Sequence, residues 1–157
     1  MKGVVFDLLE QAVVRHHGED VWDDLLSGAG LIGAYTSLGS YPDDDLHRLV
    51  DQAAATLGMS PQDVIRWFGR EALPALAVSY PEFFTGHATT RSFLLTLNDI
   101  IHPEVRKLYP GADVPWFEFT GTAKGDLVLG YASRRRLCAF AEGLIQEIGR
   151  ASCRERV

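Results

Sequence analysis

Residues 126–136 read Asp126-Leu127-Val128-Leu129-Gly130-Tyr131-Ala132-Ser133-Arg134-Arg135-Arg136. The first six have the pattern of a strand, and Leu137, Phe140, Ala141, Leu144, Ile145 and Ile148 then return at helical spacing. Upstream, Trp116-Phe117-Glu118-Phe119 alternates like a strand, which predicts a hairpin closed across Lys124-Gly125. Everything before Pro110-Gly111 is helical in pattern instead. The expected fold class is therefore α+β: a mainly helical N-terminal part packed with a small antiparallel sheet and a C-terminal helix.

Toward the N-terminus, Pro81 opens an apolar stretch that includes Phe83, Phe84, Phe93, Leu94, Ile100 and Ile101. It is expected to be helical up to His102, because Pro103 biases its predecessor away from helical geometry and a short new helix should follow. Ser60-Pro61-Gln62-Asp63 predicts a helix start, with Ser60 as N-cap, Pro61 at the first position and Asp63 completing a capping-box variant. That helix carries Val64, Ile65, Phe68 and Ala72 and should continue, kinked, across Pro74. Pro42 before Asp43-Asp44-Asp45 predicts another start, its acids favoured by the helix dipole, and Gly58 its end. Val4, Val5, Leu8, Leu9, Ala12 and Val13 predict a first helix stopped by Gly18. Val21, Trp22, Leu25 and Leu26 predict a second, ending at Gly28-Ala29-Gly30.

The 157 residues suit one domain. A net charge of −6 argues against nucleic acid, whose phosphates demand a basic face, and Arg134-Arg135-Arg136 is too short a cluster to supply one. No apolar run reaches the roughly 18–20 residues of a membrane span. Asp7 and Glu10 interrupt the apolar N-terminal run, so it does not read as a signal peptide. Cys138 and Cys153 form neither a disulfide framework nor a CxxC knuckle. The chain is expected to be cytoplasmic. Residues 151–157 show neither helical stripe nor strand alternation; residues 150–157 are expected to be a non-native tail to a domain over residues 1–149, with further strands missing.

Three features bear on chemistry. His102 closes a strongly apolar run, and two readings of it stand: a capping or core histidine, or an axial ligand. Neutral imidazole is a good iron ligand, and haem wants apolar surroundings with one nitrogen donor. Tyr131 and Ser133 point the same way by the strand period. Ser133 can also N-cap the last helix, placing Arg135 in its first turn. Hydroxyls, guanidinium and helix amides would then meet at one spot suited to carboxylates. The plain alternative is a capped helix with a solvated basic turn, which opposes the macrodipole unless an anion compensates. Val5 and Leu9 on the first helix, and Phe140 and Leu144 on the last, offer apolar faces that by themselves are ordinary core.

Taken together, Met1-Lys2-Gly3, His102, the Gly111 to Pro115 segment and the Tyr-x-Ser-x-Arg motif at Tyr131, Ser133 and Arg135 resemble the H-NOX family. These are haem-nitric oxide/oxygen binding domains related to the sensor region of soluble guanylate cyclase. The resemblance covers the chain to about Gly149. It implies haem b held between the helical part and the sheet, with His102 as iron ligand and Tyr131, Ser133 and Arg135 on the propionates. It also implies Pro115 pressing on the porphyrin. Oxygen-binding members carry a distal tyrosine, and Phe140 stands at that position here. Val5, Leu9, Leu144 and Ala72 complete an apolar distal pocket, and Tyr35, Tyr41 and Tyr80 are the tyrosines that could bring a donor into it from elsewhere. The resemblance thus implies a sensor of nitric oxide and carbon monoxide that discriminates against oxygen. It would be no enzyme, and would regulate a histidine kinase or a cyclic-di-GMP enzyme in trans. An oxygen-binding member of the family and a cofactor-free helical interaction domain are the alternatives. His16, His17, His47 and His87 match no functional position. A metal hydrolase built on His16-His17, His47 and Asp43-Asp44-Asp45 is disfavoured, because adjacent histidines diverge by about 100° on a helix.

Overall fold

The computed structural model describes the backbone of residues 1–121 and 125–154, and side chains up to residue 148. Its helices come first. α1 (Gly3–His17) ends at Gly18, whose φ of 92° lies where glycine alone is unstrained. α2 (Glu19–Ala29), α3 (Asp43–Leu57) and α4 (Pro61–Ser79) follow. The Ser60 hydroxyl accepts from the Asp63 amide at 3.1 Å and donates to the Asp63 carboxylate at 2.7 Å. That carboxylate therefore holds the cap side chain rather than the cap backbone. α4 runs on through Pro74 to Ser79.

The stretch expected as one helix from Pro81 is divided. α5 (Pro81–Phe84) and α6 (Thr90–Leu94) are separated by Gly86 at φ 86°, and Thr89 with Ser92 forms a reciprocal capping box that starts α6. A π-helical turn (Leu97–Ile101) leads into α7 (His102–Leu108). His102 is itself helical, at φ −66° and ψ −36°, which corrects the expectation drawn from Pro103. Pro103 sits in the first turn of α7, where its missing N–H has no partner to lose. π-helical turns often occur at functional sites.

β1 (Trp116–Gly121) and β2 (Leu127–Ala132) form an antiparallel pair with Phe117 opposite Tyr131. The connecting Lys124 lies outside the described residues, and Gly125 takes φ 84°. The expected helix start at Ser133 is not found. α8 (Cys138–Arg154) begins later, and Ser133, Arg134 and Arg135 form a turn closed by Arg136 at φ 53°. Arg135 is thus outside the helix and is not opposed by its dipole. α8 continues through residue 149 to Arg154 without a break, so the backbone there is helical where no helical stripe is seen in the sequence. The rest of the expected tail, residues 155–157, lies outside the described residues.

Two apolar clusters hold these elements together. The larger joins α1–α4 and the start of α8 around Phe6, Leu46, Leu49 and Phe68. The smaller joins Phe93, Leu94 and Ile101 to the inward face of the sheet and to Ile145 on α8. α4 and α8 cross in backbone contact: a Cβ on Gly69 would lie 2.3 Å from the Phe140 carbonyl oxygen, and one on Gly143 2.1 Å from that of Arg66. Arg66 closes the same crossing from outside with a 2.9 Å bond to Glu142. Gly69→Ala is expected to force the helices apart and destabilise the domain by about 1–3 kcal/mol, as overpacking does. Chemical denaturation measures this, and an unchanged midpoint would show that the crossing yields freely.

Candidate functional site

An apolar cavity of about 310 Å³ lies along the seam of the two clusters. α1 lends it Val5 and Leu8, α4 Phe68, and α8 Phe140 and Leu144. Polar residues on its lining include His102, the Tyr131–Ser133–Arg135 turn with Asp113, Lys2, and a tyrosine pair.

His102 lies at the junction of the π-helical turn and α7, with its ring 5.9 Å from that of Phe117. Asn98, in the π-helical turn, fixes this junction to β1. Its Nδ2 donates to the Phe117 carbonyl at 2.6 Å, and its Oδ1 accepts from the Phe117 amide at 3.1 Å. Burial, and then the nearby Arg106, lower the His102 pKa from 6.5 to about 4, against an opposing hydrogen bond with the Pro115 backbone. The imidazole is therefore neutral near pH 7. Its Nδ1 is buried and has no hydrogen-bond partner. A buried ring nitrogen without a partner is costly, and it marks a lone pair or proton reserved for something else.

The second polar place is built from a strand end and a turn. Tyr131 faces inward from β2 with its ring 5.6 Å from Phe117. The Ser133 hydroxyl accepts from the Arg135 amide at 3.2 Å, which leaves its own proton to donate. The Arg135 Nε lies 3.0 Å from both Asp43 oxygens, and its Nη1 reaches the Asp113 carbonyl and, at 3.5 Å, the Asp113 carboxylate. Its Nη2 has no partner among the described residues. Burial pushes the Asp43 carboxyl up, but hydrogen bonds from the Met1 ammonium at 2.6 Å and from Arg135 hold it below its usual range. Arg134 also pairs with the Asp113 carboxylate at 3.1 Å, so two carboxylates face three cations and the turn keeps one positive charge beside its directed donors. The anion that a basic first turn seemed to require is supplied by the protein.

Of the residues singled out in the sequence, His102, Tyr131, Ser133, Arg135, Pro115, Val5, Phe140 and Leu144 all line this cavity. Leu9 does not. It is buried in the larger cluster, one residue around the helix from Leu8, which lines the cavity instead. Ala72 is likewise fully buried in that cluster and off the cavity wall. Tyr35 and Tyr41 pack on Phe6 away from it, whereas Tyr80 lines it together with Tyr109, which the sequence reading missed. Asp43, Asp113 and Asn98 were missed as well, because their partners are far away in sequence. His16 bonds Glu71 at 2.6 Å, and His87 packs edge-on against Phe93. Among the described residues no group of three or more His, Cys, Asp or Glu side chains could hold a metal ion. Nor is any helix there long and apolar enough to cross a membrane.

The haem-NO-binding family model matches residues 2–156, and the chain belongs to that family, the H-NOX domains. An H-NOX protein from S. oneidensis in the Fe(II)NO state superposes with a TM-score of 0.90 at 32% identity, over 98% of this chain and 86% of that one. Unliganded Fe(II) H-NOX from K. algicida gives 0.87 at 26% identity, over 98% and 84%. Soluble guanylate cyclase gcy-32 of Caenorhabditis elegans is 23% identical over 156 residues, which is 96% of this chain. The chain spans only 23% of that relative's length. Members of this family of haem-based gas sensors carry haem iron, and the site suits it: an apolar cavity, one neutral imidazole with an unpartnered nitrogen, and unspent donors at one end.

The lowered His102 pKa makes a prediction for the haem-free protein. Between pH 6.5 and 4 the unfolded chain binds a proton that the folded one refuses, so stability is whole above pH 6.5 and falls below it. From pH 7 to 5 this loss is at most about 2 kcal/mol for one such group, less where solvent screens it. Urea unfolding of His102→Gln should show a shallower decline over that range than the parent; equal declines would place the loss on other groups.

Proposed function

We propose that this domain binds one haem b through His102 and senses nitric oxide and carbon monoxide while discriminating against oxygen. The carrying observation is the buried His102 Nδ1, without a hydrogen-bond partner, in a ring on the wall of an apolar cavity. When bound, haem supplies a ferrous iron with affinity for diatomic gases. His102 offers it a neutral nitrogen over the whole physiological range, since its pKa is near 4. Tyr131, Ser133 and the Nη2 of Arg135 would hold the propionates, and Pro115 would pack against the porphyrin. Asp43 and Asp113 hold Arg135 through its Nε and Nη1 on the cavity lining. Every residue invoked lies within residues 1–149.

Discrimination against oxygen follows from the opposite wall. Oxygen binding at ferrous iron depends on a hydrogen-bond donor, whereas nitric oxide and carbon monoxide depend on one much less. Val5, Phe140 and Leu144 have none; the Tyr80 and Tyr109 hydroxyls are bonded to each other, which uses one of their two protons. The domain is a sensor on this reading, and its output is a cytoplasmic histidine kinase or cyclic-di-GMP enzyme in trans. A partner is regulated only if it binds the two states with different affinity.

Ferrous protein in air is expected to keep the absorbance spectrum it has under nitrogen, and to shift with nitric oxide and with carbon monoxide. Phe140→Tyr should gain a response to air. His102→Gly should lose haem or hold it only with added imidazole; stoichiometric haem with an unchanged spectrum would remove His102 as the ligand. Arg135→Ala should release haem to apomyoglobin roughly tenfold to a hundredfold more readily, the weight of one charge-assisted hydrogen bond. Unaltered transfer would take the propionates away from Arg135.

A further inference from the structure

α7 is a seven-residue helix with His102 at one end and Tyr109 as its C-cap at the other. None of its side chains is fully buried, and its Glu104–Lys107 ion pair is internal. In the middle of the helix Val105 packs against the smaller apolar cluster, while Arg106 and Lys107 are exposed, so packing grips that part on one side only. Its two ends are better held. At the first, His102 meets Phe117 and the junction pinned by Asn98. At the second, Tyr109 is buried and its hydroxyl is hydrogen-bonded to that of Tyr80, the C-cap of α4. No other hydrogen bond or ion pair among the described residues joins α7 or Tyr109 to α4. Tyr80 is in turn steadied by stacking on Phe83, ring centres 5.9 Å apart. Burial, followed by the Tyr80 hydrogen bond, pushes the Tyr109 pKa far up, so the Tyr109 hydroxyl keeps its proton across ordinary pH.

We propose that the Tyr80–Tyr109 hydroxyl pair is a latch that sets the position of α7, and through it of His102, against the α4 wall. Both tyrosines are positioning residues, acting on the iron through His102, and this role rests on the haem reading given above. The latch is closed in the conformation where His102 lines the cavity. Opening it lowers the cost of swinging α7, and hence of withdrawing His102 when a gas ligand competes for the iron.

The test uses Tyr80→Phe, Tyr109→Phe and the double variant, all of which keep the rings and their packing. In the haem-free protein, amide hydrogen exchange over residues 102–109 should quicken about fivefold in each single variant, the weight of one neutral hydrogen bond. The double variant should match the singles, because either one already removes the whole bond. In the haem-loaded protein, nitric oxide should detach His102 about fivefold faster in the variants, read from the absorbance change in rapid mixing. Unchanged exchange would overturn the latch outright. Faster exchange with an unchanged nitric oxide response would overturn its action on His102. If the parent protein takes up no haem, the haem reading itself fails, whereas haem uptake with indifferent variants sinks the latch alone.

Discussion

At the crossing of α4 and α8 there is no room for side chains. Gly69 and Gly143 let two helix backbones touch: a methyl group on the first would strike the Phe140 carbonyl oxygen, and one on the second that of Arg66. That contact sets where everything near it can be. Phe140 and Leu144 flank Gly143 on α8, and Phe68 adjoins Gly69 on α4, so one crossing aims the aromatic and aliphatic wall of the cavity. The Phe68 and Phe140 rings meet at 4.8 Å beside it. The opposite side of the cavity is made from α7 and the sheet.

The polar groups of the cavity are few, and each is arranged against the cost of burying it. His102 meets that cost by staying neutral, Arg135 by sharing its charge with Asp43 and Asp113, and the tyrosines by bonding to each other. Unspent capacity remains at the His102 Nδ1, the Ser133 proton and the Arg135 Nη2. These are the groups a haem with one axial bond and two carboxylates would use. The chemistry of the site is legible as what the protein leaves unsatisfied.

Much of this was readable along the chain. Helix stops at Gly18 and Gly58, the Ser60 cap and the paired strands depend on neighbours a few residues away, so local sequence is enough to specify them. The division of the Pro81 stretch was also written locally, in Gly86 and in Thr89 with Ser92, but the continuous apolar pattern masked it. Ser133 was misjudged for a subtler reason. Its hydroxyl does bond a backbone amide two residues on, as a cap would, yet Arg136 then turns left-handed and delays the helix to Cys138.

The sequence by itself determined the α+β class, the ligand-capable histidine at the end of an apolar run, and the hydroxyl and guanidinium spacing of Tyr131, Ser133 and Arg135. Periodicity and covalent spacing carry that information directly. Tertiary structure decided which apolar faces meet in the cavity, choosing Leu8 over Leu9 by the rotation of α1 about its axis. It also decided that Asp43 neutralises Arg135 across 92 residues, that Asn98 pins β1, and that Tyr80 finds Tyr109. Each of those pairs joins residues on different elements, and only the packing of the elements brings them within reach.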